Sequence, residues 1–80
     1  MWEIDYTEEV KFYFIDNGDL VFDLLVRIEE LKFIGDGIPP EGCIQIEPNV
    51  YQWEVLRHTV IYRKTEATRK LRIAVVKPME

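Results

Sequence analysis

Val10-Lys-Phe-Tyr-Phe-Ile-Asp-Asn-Gly-Asp-Leu-Val-Phe-Asp-Leu-Leu-Val26 is the stretch whose reading decides the fold. Val10, Phe12, Tyr13, Phe14 and Ile15 are β-branched or aromatic, and Asn17-Gly18 is a strong signal for a two-residue hairpin turn. On that reading residues 10–26 are two strands. Against it, Leu20, Leu24, Ile28 and Leu31 recur at helical spacing, with Val21, Leu25 and Phe33 widening the same stripe. Thr7 can cap a first helix whose opening turn holds Glu8 and Glu9, where the macrodipole favours acids. Asn17 or Asp19 can cap a second, which Gly35 and Gly37 stop. We take residues 8–16 and 19–33 as two helices forming a hairpin. Chemical shifts showing a β-hairpin around Asn17-Gly18 would overturn this.

Outward from that hairpin the pattern is strand. Upstream, Trp2, Ile4 and Tyr6 alternate with Glu3 and Asp5. Downstream, Pro39-Pro40 and Gly42 end the helical half. Alternating, β-rich segments follow at 43–47, 50–56, 59–63 and 71–76, separated by Pro48-Asn49, Arg57-His58 and the polar stretch 65–68. The order predicts an α+β domain over residues 1–80: an N-terminal strand, a helical hairpin, then an antiparallel sheet of three to four strands. Phe12, Leu24, Leu25, Ile28, Leu31, Val60, Tyr62 and Val75 are expected in or near its core.

Eighty residues hold one domain, and a core of that size supplies only a few kcal/mol. Cys43 is the only cysteine and cannot form a disulfide within the chain, so a homodimer or a bound partner is expected to add stability. The lone thiol and the lack of a basic-then-apolar leader fit a reducing cytoplasm, and no apolar run approaches a membrane span. There is no serine and one histidine, His58, which excludes a Ser-His-Asp hydrolase. No phosphate loop, dinucleotide fingerprint or metal-ligand spacing is present, so neither a cofactor nor a metal is expected.

Charge is unevenly spread. Residues 1–56 carry three basic groups against thirteen acidic, and residues 57–80 seven against two. The C-terminal end can face an anion, or the halves can neutralise each other across the fold or a dimer. If the chain performs chemistry, the suited residues are in the basic half. His58 is the one side chain whose ordinary pKa suits proton transfer near neutrality, and arginines can hold a phosphate. Alternation puts His58, Val60 and Tyr62 on one strand face and Thr59, Ile61 and Arg63 on the other. Arg57 in the turn can therefore share a site with His58, whereas Arg63 cannot. Trp53 can stack a base or fill the core, and Cys43 reads as a small buried apolar group.

Trp2-Glu-Ile-Asp-Tyr-Thr-Glu-Glu-Val10 resembles the opening strand and first cap of the RelE/ParE superfamily of bacterial toxins. Arg27-Ile-Glu-Glu-Leu31 is similar to its second helix, and Leu71-Arg-Ile-Ala-Val-Val-Lys77 to its last strand. His58-Thr-Val-Ile-Tyr-Arg63 resembles its central strand, usually Gly-Tyr-Arg-x-x-Tyr. The resemblance implies a small toxin-like protein of a toxin-antitoxin system, neutralised by an antitoxin peptide wrapped over it. One branch acts as a ribosome-dependent mRNA endonuclease; another poisons DNA gyrase. If the chain is active, proton-transfer chemistry and position point to His58 and Arg57 as the catalytic residues, with Arg72 and Lys77 as phosphate-holding cations. Thr59 stands where the motif has arginine, and Gln52 and Glu54 stand where ribonuclease members carry cations. Ribosome-dependent RNA cleavage is the activity to test first; the alternative is a non-catalytic protein-binding module of the same fold, which charge favours because Glu54 and the acidic N-terminal half would repel RNA.

Overall fold

The computed structural model describes residues 1–79. Thr7 caps the first helix as its hydroxyl accepts from the Val10 amide at 3.4 Å, and α1 runs Glu8–Asn17. The hairpin reading of residues 10–26 thus gives way to helix. Gly18 is right-handed helical, so Asn17-Gly18 never adopts the positive φ that a two-residue β-turn of this kind needs. The second helix is shorter than residues 19–33 predict. Here α2 spans Phe22–Glu30 and ends in a single 3₁₀ turn, Leu31–Phe33. Neither Asn17 nor Asp19 caps it; Val21 occupies that position, and the Asn17 side-chain amide donates back to Tyr13 O.

Five strands form one mixed sheet: β1 (Glu3–Tyr6), β2 (Ile44–Glu47), β3 (Val50–Val55), β4 (His58–Thr65) and β5 (Lys70–Pro78), in the spatial order β1-β5-β4-β3-β2. The last four are antiparallel neighbours, as the short turns require. The N-terminal strand joins them, parallel to β5, which makes one strand more than expected. Both helices lie on one face.

Leu24, Ile28, Leu31, Val60 and Tyr62 are buried as expected, together with Trp2, Val10, Val21, Trp53, Val55, Leu71, Ile73 and Val76. Leu25 and Val75 are half-buried. Phe12, expected in the core, is 60% exposed, and Leu20, read as part of the helical stripe, is 88% exposed. A bulge in β5 explains why Val76 rather than Val75 faces inward. Tyr62 pairs with Ile73 but Ile61 with Val75, so Ala74 is extra and the alternation slips by one.

The connection between the 3₁₀ turn and β2 is pinned by four side chains donating to its carbonyls. Trp2 Nε1 and the Arg69 guanidinium reach Gly35 O, Lys64 reaches Asp36 O, and Tyr62 OH reaches Gly37 O at 2.9 Å. Gly37 permits this. Its φ is +70°, and a Cβ there would stand 3.1 Å from Trp2 Cε2, so only glycine lets the loop close onto the indole.

Candidate functional site

Residues Leu56 and Arg57 connect β3 to β4, both at positive φ (48° and 61°), in a two-residue turn closed by the Val55–His58 pair. Side chains other than glycine and asparagine resist that conformation, so the tight reversal stores strain of about 1–2 kcal/mol per residue. The turn aims His58, the first residue of β4. Its side chain lies on the helix-facing side with Val60 and Tyr62, the face that alternation predicts.

Both ring nitrogens of His58 are engaged. Nδ1 lies 2.8 Å from Leu56 O, and a carbonyl can only accept, so Nδ1 carries the hydrogen. In the neutral ring Nε2 then accepts from Tyr13 OH at 2.9 Å. Tyr13 belongs to α1, and its ring meets the imidazole edge-on at 6.0 Å. The pair ties α1 to the mouth of the β3–β4 hairpin. A base whose lone pair already holds a phenol proton must give up that bond before it can take another.

The four cations and acid-base groups expected from sequence do not all converge. Arg57 is exposed in the turn, and its carbonyl accepts the Met79 amide at 2.8 Å. Lys77 pairs across from Thr59 and is exposed, so Arg57, His58 and Lys77 share one end of the sheet. Arg72 does not join them. It lies five residues earlier on β5, roughly 16 Å away at strand spacing, opposite Arg63 and ion-paired with Asp5 on β1.

Tyr13 is the participant that sequence reading missed. It also lines a groove of about 340 Å³ between α1 and β5, with Glu9, Phe12, Asp16 and Lys77 among its other walls. The available signal was chemical: a tyrosine in an otherwise apolar helix stripe has a hydroxyl that needs a partner.

Cys43 lies elsewhere, its thiol donating to Tyr62 Oη at 3.9 Å. Burial pushes the thiol pKa up, against the opposing pull of Tyr62 and Lys64, which keeps it an unreactive thiol. Trp53 is buried; its Nε1 donates to Glu41 at 3.0 Å, and Arg27 lies over its ring while also pairing with Glu41 at 2.6 Å. Burial raises the Glu41 carboxyl, but its hydrogen bonds and Arg27 outweigh that and hold it below the usual range.

No protein-family model, curated protein or solved structure matches this chain.

Proposed function

We propose that the chain is a RelE/ParE-like toxin-family protein that acts by binding a protein partner rather than by cutting RNA. The observation that carries this reading is the engagement of His58: its two ring nitrogens are taken by Leu56 O and Tyr13 OH. Charge supports it. Arg72 is neutralised by Asp5, and the strand beside the basic end contributes Glu54 opposite Thr59. A phosphorane with no preorganised cation forgoes about 2.7–4 kcal/mol of stabilisation, roughly 10²–10³ in rate. The resemblance supplies the partner classes: an antitoxin peptide, and gyrase as a target.

One observation favours the ribonuclease reading as the second. Tyr13 and Lys77 line the same groove, and His58 stands behind Tyr13, so a phenol, an imidazole and a cation are within one neighbourhood. Expression in a bacterial host with mapping of mRNA ends separates the two. The binding reading expects no codon-boundary cuts in a culture expressing this chain alone, whether or not a bound target slows growth. Rapid arrest with such cuts, abolished in His58→Gln and reduced in Arg57→Ala, would establish the ribonuclease reading instead.

A further inference from the structure

Resting on the binding reading above, we propose that the groove between α1 and the second half of β5 takes an extended peptide bearing lysine or arginine, which adds as a strand along Ala74–Lys77. The strand β5 is nine residues long, but β1 pairs only with Lys70–Ile73. Among the described residues, β5 from Ala74 onward has β4 on one side and no strand on the other. Ala74 O takes the Thr7 hydroxyl at 3.4 Å, and beyond it the outward backbone groups of such an edge can pair with another chain.

Three observations make this edge a site. Four consecutive residues, Ala74 to Lys77, line the groove. Successive strand residues point to opposite faces, so a groove touching all four runs along the strand's edge rather than over one face. Second, α1 forms a wall. It starts beside Ala74, whose carbonyl Thr7 Oγ1 approaches at 3.4 Å, and runs alongside β5 until Tyr13 meets His58, the residue paired with Pro78. Third, Phe12 stands 60% exposed at the rim, and among the described residues its ring pairs with no other aromatic. A helix beside an open strand edge is a geometry that captures extended peptides, with main-chain pairing giving affinity and alternate side chains giving selectivity.

Charge selects the occupant. Glu9 and Asp16 face the groove from α1, both exposed, and among the described residues neither makes an ion pair. Lys77 is the one cation on the wall and lies toward its far mouth. A second copy of this chain fits poorly. Two β5 edges pairing antiparallel about a twofold axis would bring the two α1 helices together with Glu9 of one against Asp16 of the other, a like-charge contact. A strand with lysine or arginine on the helix side and β-branched residues between satisfies both acids and covers Phe12.

The test titrates the full chain with a synthetic octapeptide alternating lysine with valine, and with its glutamate-valine counterpart, while amide shifts are followed by NMR. The basic peptide is expected to bind, to move the amides of Ala74–Lys77 and of α1, and to weaken about tenfold in Glu9→Gln/Asp16→Asn and as salt rises. These substitutions are on exposed helix positions, and a thermal melt of the free variant checks that it folds. Shifts confined to the other sheet edge, Ile44–Glu47, would overturn the groove while leaving the binding reading standing. Equal binding of the acidic peptide, or none below about 1 mM, overturns the proposed occupant. Dimerisation through this edge in sedimentation would also overturn it. The binding reading itself falls only to codon-boundary mRNA cleavage.

Discussion

The two halves of β5 have the same neighbour on one side and opposite fates on the other. Along Lys70–Ile73, β1 completes the backbone pairing, and Trp2, just before β1, is sealed beneath the loop that Arg69, Lys64 and Tyr62 hold by its carbonyls. Along Ala74–Lys77 no strand follows among the described residues, and α1 stands off far enough to leave a groove. The bulge at Ala74 marks the change. One half is stabilising structure, held by indole burial and by hydrogen bonds from Trp2, Tyr62, Lys64 and Arg69 to the loop carbonyls. The other carries an open strand edge, an exposed phenylalanine and two acids with no ion pair among the described residues, groups that water rather than the fold satisfies in the free chain. Stability variants should therefore concentrate their effects in the first half and binding variants in the second.

The largest effect is expected at Trp2. It is 2% exposed, its Nε1 donates to Gly35 O, and Arg69 lies 4.0 Å over the ring. Trp2→Ala should cost about 3–5 kcal/mol, read by urea denaturation, a cost large enough to unfold a domain of this size. A loss under about 1 kcal/mol would show that the closed half is not where stability resides.

Alkaline titration strains the same side next. Burial drives the Tyr6 and Tyr62 phenols well above their ordinary pKa of 10.0, and Glu29 reinforces the shift at Tyr6 through a hydrogen bond. A raised phenol pKa means the fold prefers the neutral form. That contribution is complete below pH 10 and is lost as pH rises toward the folded values. Thermal melts should show the midpoint falling steeply above about pH 10. At the acid end the sign reverses. Burial raises the Glu29 carboxyl, but Lys32 and Tyr6 outweigh it and leave the pKa lowered, as at Glu41, so a smaller loss is expected as pH falls below the ordinary carboxylate value of 4.5.

A smaller effect is expected where the halves meet α1. Tyr13→Phe removes the phenol proton held by His58, and the half-buried pair should cost about 0.5–1.5 kcal/mol in chemical denaturation. No loss would mean that the tie between α1 and the β3–β4 hairpin is only geometric. The smallest belongs to Phe12. Because it is exposed, Phe12→Ala should change stability by no more than about 0.5 kcal/mol while weakening the lysine-valine peptide severalfold. A destabilised Phe12→Ala would make it a core residue after all and erase the contrast.

Much of this was legible in sequence, and the failures are physical ones. Element order and fold class follow from periodicity, and the helix holds against the Asn17-Gly18 hairpin signal with Thr7 as its cap and Glu8 and Glu9 in its first turn. The exposure of Phe12 and Leu20 was not legible. Periodicity reports an apolar stripe but not its width against the sheet, and α2 begins only at Phe22, so Leu20 belongs to the turn. The site was half legible. Alternation placed His58 and Arg63 on opposite faces and left Arg57 at the turn. It could not show that Tyr13, 45 residues away, would claim the histidine, nor that Asp5 would claim Arg72. Those partners come from packing between distant elements, which local pattern does not encode. The open edge was equally invisible, since it depends on how few residues of β1 reach along β5.

Residue-by-residue amide hydrogen exchange along β5 of the free chain, then with the lysine-valine peptide, tests the division directly. The account predicts slow exchange at every amide of Lys70–Ile73, since each faces a paired strand on one side or the other. From Ala74 to Lys77 it predicts alternation, the outward amides exchanging fast in the free chain and slowing when the peptide binds. Uniform protection of Ala74–Lys77 in the free chain, unchanged by the peptide, would contradict it.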